Sequence, residues 1–323
     1  MHQRGRRTRR SLIGVVAGLA LFAGACGSDD SSSSEPENSQ ASAETDSTDS
    51  VTSDPASTDP SEMIDLRIVS LSPTHTEMLF AIGAGDRLVA VDEFSNYPAA
   101  ATELPNELSG FEPNVEAIAG YEPDLVVIGG DFTGLGDQLD ELGIAWWDGP
   151  AALTLDDTYT QIEQLGAETG HVAEAAEVVL QMQTEIDEIV ASVSVPDEPL
   201  TFYHELDPTL FSVDSTTFIG DVYALLGLQN IADQVEGDSG GYPQLNAEFV
   251  VAADPDLIFL ADTLCCAENA ETVGERDGWA SLVAVQNGAV IEMNDDIASR
   301  WGPRVVEYLA SVAAAIELVA VSA

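Results

Sequence analysis

One arrangement occurs twice in this sequence and restricts its fold more than any other feature. A glutamate, a short helical stretch, a Pro-Asp step and an apolar run follow one another at residues 116–128, and the same order returns at residues 248–260. Apolar runs that each follow a helix are typical of strands in a parallel sheet that helices cover on both faces. The repeat therefore predicts a duplicated α/β unit.

Short apolar runs alternate with helical spacing through both halves of the chain. The predicted strands are residues 67–71, 88–91, 125–128, 144–147, 200–204, 257–260 and 289–292, and the predicted helices are residues 74–82, 115–119, 135–142, 218–226, 249–253 and 305–319. Residues 171–192 contain neither glycine nor proline and predict one helix about 33 Å long. We predict an α/β fold with an N-terminal lobe at 66–170, a connecting helix at 171–193 and a C-terminal lobe at 194–323.

The first 26 residues have the pattern of an export signal. Five arginines within the first ten residues precede an apolar run at 12–25, which is too short to span a bilayer because a spanning helix needs about 20 residues. The run ends in Ala23-Gly24-Ala25-Cys26, which resembles a lipobox. We predict a signal peptide at 1–25 and acylation at Cys26, with general secretion and twin-arginine export both open.

The rest of the chain is strongly acidic. Residues 26–65 are rich in Ser, Thr, Asp, Glu and Pro without apolar periodicity, and predict a disordered tether. The whole chain has 57 acidic residues against 10 arginines and no lysine, and five of those arginines lie in the predicted signal peptide. Phosphate backbones and anionic lipid surfaces both attract clustered cations. The sequence therefore excludes nucleic acid as a partner and leaves a lipid anchor as the predicted membrane attachment.

Several strings resemble one family when they are taken in order. They are RIVSLSPTHTEMLFAIGAGDRLVAV at 67–91, FSNYP at 94–98, the two repeated segments, the long helix and SRWGPRVVEYL at 299–309. Together they resemble the class III substrate-binding proteins, the iron-complex and cobalamin carriers of ABC importers, over residues 66–318. The resemblance implies two parallel-sheet lobes joined by one long helix, a ligand in the cleft and little hinge closure. It also implies an ABC permease with its ATPase subunits as partners, and a monomeric protein that is not an enzyme and has no resident cofactor.

The resemblance implies a docking role for one glutamate on each lobe. Glu116 and Glu248 stand at the matching positions, and in the family such glutamates pair with arginines of the permease. The alternative is that both are ordinary acids at helix N-termini, which the helix dipole favours.

The resemblance places the ligand residues in loops at the strand ends that face the cleft. The candidates are Tyr97, Phe111, His204, Tyr242, Arg300 and Trp301. His75 and His204 are also candidate metal ligands, with helix-cap or packing roles as the alternative. Cys265 and Cys266 are adjacent, and they form either a disulfide or two free thiols.

The sequence leaves the ligand and two other functions open. Ferric siderophores, cobalamin and haem all remain, although strongly anionic tris-catecholates are disfavoured by the small number of arginines. A free zinc or manganese carrier is an alternative, but such a site needs three or four His and carboxylate ligands. A cell-surface hydrolase using Ser72, His75 and Glu77 is the weaker alternative, because their close spacing does not readily align a nucleophile, a base and an orienting group.

Overall fold

The computed structural model describes residues 66–194, 198–237 and 239–322. The predicted signal peptide at 1–25, the acylation site Cys26 and the tether at 26–65 lie outside the described residues. Within the described part of the chain, no helix is long and apolar enough to cross a membrane.

Two four-stranded parallel sheets form the two lobes. The first contains β1 (Ile68–Ser70), β2 (Leu88–Val91), β3 (Leu125–Ile128) and β4 (Ala145–Asp148), and the second contains β5 (Thr201–Glu205), β6 (Gln229–Asn230), β7 (Leu257–Leu260) and β8 (Val290–Glu292). Their strand orders are β2-β1-β3-β4 and β6-β5-β7-β8, which is the same topology. The predicted fold of two parallel-sheet lobes is confirmed.

Helices cover the faces of both sheets. They are α1 (Pro73–Ala81), α2 (Val115–Ala119), α3 (Leu135–Leu142), α4 (Leu155–Thr169), α5 (Val172–Ser192), α6 (Phe218–Leu225), α7 (Ala247–Ala253), α8 (Thr263–Cys266), α9 (Ala270–Gly274), α10 (Val283–Gln286), α11 (Asp295–Ser299) and α12 (Val305–Ser322). Short 3₁₀ turns occupy Gly85–Arg87, Ala99–Glu103, Ile231–Gln234 and Trp279–Ser281. Helix α5 is the predicted connecting helix and has 21 residues.

The repeated Pro-Asp step has the same structural role in both lobes. Asp124 Oδ2 accepts a hydrogen bond from the backbone N–H of Arg67 at 2.9 Å, just before β1. Asp256 Oδ2 accepts one from the backbone N–H of Thr201 at 2.8 Å, at the start of β5. Each aspartate therefore ties the third strand of its sheet to the first, which explains why the step occurs in both copies.

Helix α4 was not predicted from the sequence. Thr154 caps it, with the Thr154 side chain accepting from the backbone N–H of Asp157 while the Asp157 carboxylate accepts from that of Thr154. This reciprocal capping box is the local signal that the sequence offers for the helix. Ile162 and Leu165 are its fully buried apolar residues.

One hydrophobic core runs through both lobes. Its buried members come from α1, α4, α5, α6, α12 and both sheets, and include Leu79, Ile162, Val179, Ile186, Val222, Phe259, Val312 and Ile316. A smaller cluster around Val126 and Leu139 fills the other face of the first sheet. Because the main core is continuous, rotating one lobe against the other would disturb close packing rather than a solvated hinge.

Candidate ligand-binding cleft

A cavity of about 550 Å³ lies where loops of the first lobe meet a segment of the second. The first lobe supplies residues that follow β1, β2 and β3, and the second supplies the end of α11 and the two residues after it. The lining residues are Leu71, Ser72, Pro73, Thr74, Asp92, Phe94, Gly110, Phe111, Gly129, Gly130, Phe132, Ser299, Arg300 and Trp301. Carboxyl ends of parallel strands are the usual place for a ligand in an α/β protein.

Aromatic side chains form most of the apolar wall of this cavity. Phe111 and Phe132 are 78% and 88% exposed, and Phe94 lies edge-on to Phe111 with 5.8 Å between ring centroids. Trp301 completes the wall from the second lobe. Aromatic faces left uncovered in a concave site suit a ligand with a large apolar surface.

A buried hydrogen-bonded group lies directly behind the cavity wall. Ser72 Oγ is 2.7 Å from His75 Nδ1, and His75 Nε2 is 2.9 Å from Gln161 Oε1. Trp301 Nε1 donates to the same Gln161 oxygen at 2.9 Å. Complete burial lowers the pKa of His75 to about 4, so the ring is neutral at physiological pH. Both ring nitrogens of His75, a predicted candidate metal ligand, are thus hydrogen-bonded to protein side chains.

Arg300 lines the cavity, but its charge is directed at the protein. Its Nη1 donates to Glu77 Oε1 at 2.7 Å and to Asn96, and its Nη2 donates to Asp296 at 2.7 Å and to the Phe94 carbonyl. Arg300, a predicted ligand residue, thus lies at the cavity with its guanidinium bonded to protein groups. The side chain joins the lobes, because Glu77, Phe94 and Asn96 belong to the first lobe.

Tyr97 lies outside the cavity, contrary to its prediction as a ligand residue. The Arg304 guanidinium stacks over its ring at 4.1 Å, and Arg304 also donates to Glu77. Tyr97 thus belongs to the junction between the lobes, where a separate pocket of about 350 Å³ is lined by Glu77, Pro98 and Arg304 among others.

His204 does not reach the cleft, and its prediction as a ligand residue is wrong. It is fully buried in β5, and its Nδ1 lies 2.9 Å from the Tyr223 hydroxyl. Burial lowers its pKa to about 3, which favours the neutral ring. Both faces of β5 are covered, so the apolar run gives no sign of which side His204 occupies.

Tyr242 is half-exposed on a loop of the second lobe but does not line the cavity. Its loop is paired with the segment after β5 through the bridge between Phe211 and Gln244. Of the six predicted ligand residues, the structure brings Phe111, Arg300 and Trp301 to the cavity.

The second lobe contains a buried acidic cluster. Arg276 donates to both carboxylate oxygens of Glu205, at 2.6 and 2.5 Å, and to Glu268 at 2.8 Å. Asp262 is fully buried beside them, and neither of its oxygens has a hydrogen-bond partner among the described residues. Burial, together with the neighbouring Glu205 carboxylate, raises the pKa of Asp262 to about 7.

Cys265 and Cys266 are joined by a disulfide in the exposed helix α8. Among residues 66–194, 198–237 and 239–322, no group of three or more His, Cys, Asp or Glu side chains is placed to hold a metal ion.

Glu116 and Glu248 occupy equivalent positions in the two lobes. Each is the second residue of its helix, and each helix is capped by an asparagine, Asn114 for α2 and Asn246 for α7. Both glutamates are exposed, and neither makes an ion pair with another described residue.

The hydrolase alternative does not fit the observed geometry. Glu77, its third member, is paired with Arg300 and Arg304, and the neutral amide of Gln161 occupies the position next to His75. A histidine with a pKa near 4 and no carboxylate partner is a poor general base at neutral pH.

Three residues of the site were not predicted. Phe132 lies in a glycine-rich loop, where its sequence context resembles an ordinary turn. Gln161 is a polar residue on the unpredicted helix α4, and the capping box at its start is the signal that could have drawn attention to it. Asp92 follows β2 and is 1% exposed. Its position directly after a predicted strand was the available signal.

The family model described as periplasmic binding protein matches residues 68–297. The chain belongs to this family. The match extends over strands of both lobes and includes Glu116, Glu248 and the cavity residues of the first lobe.

Two curated relatives match the same part of the chain. One is the uncharacterized ABC transporter substrate-binding lipoprotein YvrC of Bacillus subtilis (strain 168), 28% identical over 258 residues, covering 77% of this chain and 79% of that protein. The other is a cobalamin-binding protein of Halobacterium salinarum (strain ATCC 29341 / DSM 671 / R1), 30% identical over 256 residues, covering 76% of this chain and 68% of that protein. Both are named as binding proteins, and the prediction that the chain is not an enzyme is confirmed.

Solved structures show the same architecture. The vitamin B12 binding protein BtuF of Vibrio cholerae is 29% identical, with a TM-score of 0.65 over 79% of this chain and 97% of that one. The heme-binding protein RhuT of Roseiflexus sp. RS-1 is 22% identical, with a TM-score of 0.69 over 79% of this chain and 99% of that one. At that lower identity, the second likeness shows the shared fold alone.

Proposed function

We propose that this chain is the extracytoplasmic substrate-binding component of an ABC importer and that it carries a corrinoid such as cobalamin. In this proposal the signal peptide at 1–25 is removed, Cys26 is acylated, and the tether at 26–65 links the lipid anchor to the folded lobes. The relatives named as an ABC transporter substrate-binding lipoprotein and as a cobalamin-binding protein support it.

The observation that carries the ligand class is an aromatic cavity whose lining, among the described residues, offers no available cation. Phe94, Phe111, Phe132 and Trp301 supply the apolar wall, and Arg300 is the basic residue in the lining. Because the guanidinium of Arg300 is bonded to Glu77 and Asp296, it has little charge left for a ligand. A corrinoid fits this balance, since its periphery carries neutral amides rather than carboxylates.

The other four arginines of the described chain are also engaged away from the cavity. Arg67 donates to backbone carbonyls, Arg87 is paired with Asp86, Arg276 with Glu205 and Glu268, and Arg304 with Glu77. Tris-catecholate siderophores and haem both carry anionic groups, which such sites usually meet with free cations. In the described part of the chain no free cation lines the cavity, so these anionic ligands are the weaker candidates. A neutral ferric hydroxamate is the second candidate.

The proposed partners are the permease, which Glu116 and Glu248 would contact through charge-assisted pairs, and the ATPase subunits behind it. The protein acts as a monomer in this proposal, with one lobe facing each half of the permease.

A thermal-shift comparison tests the ligand class. We expect cyanocobalamin to stabilise the purified lobes by about 2.7 kcal/mol at a ligand concentration of 100 times Kd, because it binds the folded state alone. Haemin and a ferric hydroxamate at matched concentrations serve as controls. Stabilisation by either control with none by cyanocobalamin would contradict the proposal.

A further inference from the structure

The donors and acceptors behind the cavity fix the direction of each hydrogen bond there. The indole Nε1 of Trp301 carries a hydrogen and no lone pair, so it donates to Gln161 Oε1. Gln161 Nε2 donates to the Pro150 carbonyl at 2.8 Å. Reversing the amide would place N–H against N–H and oxygen against oxygen, so the orientation of Gln161 is fixed by both neighbours.

The tautomer of His75 follows from the orientation of Gln161. Since Gln161 Oε1 can only accept, the His75 Nε2 at 2.9 Å carries the hydrogen. The buried ring is neutral and has a single N–H, so its Nδ1 holds a lone pair. The Ser72 hydroxyl at 2.7 Å therefore donates its one hydrogen to His75.

Two glycines leave room for this chain of groups. A Cβ at Gly129 would lie 2.9 Å from Ser72 Oγ, and a Cβ at Gly149 would collide with His75 Nε2 and with Trp147. The close fit holds Ser72 and His75 where they are. An ordinary serine hydroxyl rotates to donate or accept as its surroundings require, whereas this one cannot turn without breaking its bond to His75.

We infer that Ser72 is a fixed hydrogen-bond acceptor in the cavity wall, and that it makes the site selective for a ligand that offers an amide or hydroxyl donor beside an apolar body. Ser72 lines the cavity, and its oxygen keeps only lone pairs for a ligand. The inference rests on the proposed function and adds to it the kind of polar group that the site recognises.

A carboxylate in the cavity lining agrees with this selectivity. Asp92 also lines the cavity, and its carboxylate accepts hydrogen bonds from Ser95 Oγ and from the Phe94 backbone N–H. Both Ser72 and Asp92 thus present acceptors, which attract ligand N–H or O–H groups and disfavour carboxylates.

Two corrinoids that differ in the hydrogen-bond donors around the ring test the inference. Dicyanocobinamide carries amides around its ring, whereas dicyanocobyrinic acid heptamethyl ester carries methyl esters in their place and has no donors there. We expect the unsubstituted protein to prefer the amide compound, with affinities measured by isothermal titration calorimetry.

The Ser72→Ala variant should lower the affinity for dicyanocobinamide by roughly three- to tenfold, the value of one neutral hydrogen bond, and leave that for the ester unchanged. The matched control is Ser299→Ala, which removes an exposed hydroxyl from the same lining. The Ser299 hydroxyl is free to rotate, so it can donate to an ester or accept from an amide. Its removal should therefore not alter the preference between the two compounds.

The outcomes separate the inference from the proposed function. If neither corrinoid bound the unsubstituted protein, the proposed function would be overturned. If both corrinoids bound, and Ser72→Ala either weakened both to the same extent or weakened neither, only the inference would be overturned.

The tautomer of His75 provides a test that needs no variant. Nitrogen-15 NMR of the unsubstituted protein should show a ring protonated at Nε2 and unprotonated at Nδ1 at neutral pH. A ring protonated at Nδ1 would mean that Ser72 accepts from His75 and keeps its hydrogen for the cavity, which would overturn the inference.

Discussion

At the scale of single residues, Asp262 shows how burial changes a carboxyl group that lacks a donor. Its neighbours Glu205 and Glu268 are both bonded to Arg276, and Asp262 is left without a partner among the described residues. Its pKa rises from 3.8 to about 7 on folding, so between these values the folded protein binds the proton more tightly than the unfolded chain does. The contribution of Asp262 to stability is therefore fully present below about pH 4 and is lost as the pH rises through about 7.

We expect Asp262→Asn to remove this pH dependence. At pH 8 the variant should be more stable than the parent by at least about 1 kcal/mol, because the amide carries no charge to bury, and near pH 4 the two should be similar. Chemical denaturation at both pH values measures the difference. Asp277→Asn, an exposed change in the same lobe, is the control. A variant less stable than the parent at pH 8 would contradict the expectation.

At the scale of elements, the sequence predicts best where the local signals and the tertiary environment agree. The bounds of β2, β3, α2, α3 and β7 are the predicted ones, and each of them except β2 is followed by glycine or preceded by a Pro-Asp step. Helix α4 was missed because its polar residues obscure the apolar stripe. The side taken by His204 was also missed, because β5 is buried on both faces and its run carries no alternation.

The same limit applies to the candidate site. Phe111 and Trp301 could be predicted because the family resemblance places ligand residues in the segments that face the cleft, and both line the cavity. Gln161 could not, because its importance depends on the tertiary contact between α4, α1 and the segment before α12. A sequence pattern reports neighbours along the chain, and this contact joins residues far apart in it.

The N-terminal cap of helix α4 can be tested by substitution. We expect Thr154→Ala to lower the free energy of unfolding by about 1 kcal/mol, because the N-cap hydroxyl would no longer accept the backbone N–H of Asp157. Thr160→Ala, the same substitution at an exposed position inside the helix, should be neutral or slightly stabilising because alanine has the higher helix propensity. Urea denaturation of both variants measures the effect, and equal changes would argue against the capping role.

At the scale of the whole molecule, the lobes are held together by one core and by an ionic junction. The buried Glu77 of the first lobe is paired with both Arg300 and Arg304 near the start of α12. Removing one partner of a buried ion pair leaves an uncompensated charge, so this junction resists separation of the lobes. The family resemblance implies little hinge closure, and a continuous core with a buried ionic junction is consistent with that expectation.

The proposed docking role is tested with both glutamates together. We expect Glu116→Arg combined with Glu248→Arg to abolish ligand uptake through the importer, because the substituted side chains repel permease arginines, while ligand affinity stays unchanged. Calorimetry and uptake by cells that contain the importer are the measurements.

Glu271→Arg is the matched control for docking. Glu271 is also exposed and is also the second residue of an asparagine-capped helix, α9. If the acids at these positions served only the helix dipole, all three substitutions would affect stability alike and none would affect uptake.

The continuous core bears on how the empty and the loaded protein compete for the transporter. A fold that kept its shape would hold Glu116 and Glu248, the two glutamates of the proposed docking role, at one spacing whether or not the cleft is filled. The empty protein would then dock on the transporter as readily as the loaded one and occupy it without delivering cargo. In cells that make more carrier than there is nutrient to fill it, the surplus would act as a competitive inhibitor of import, and uptake would fall as carrier abundance rises.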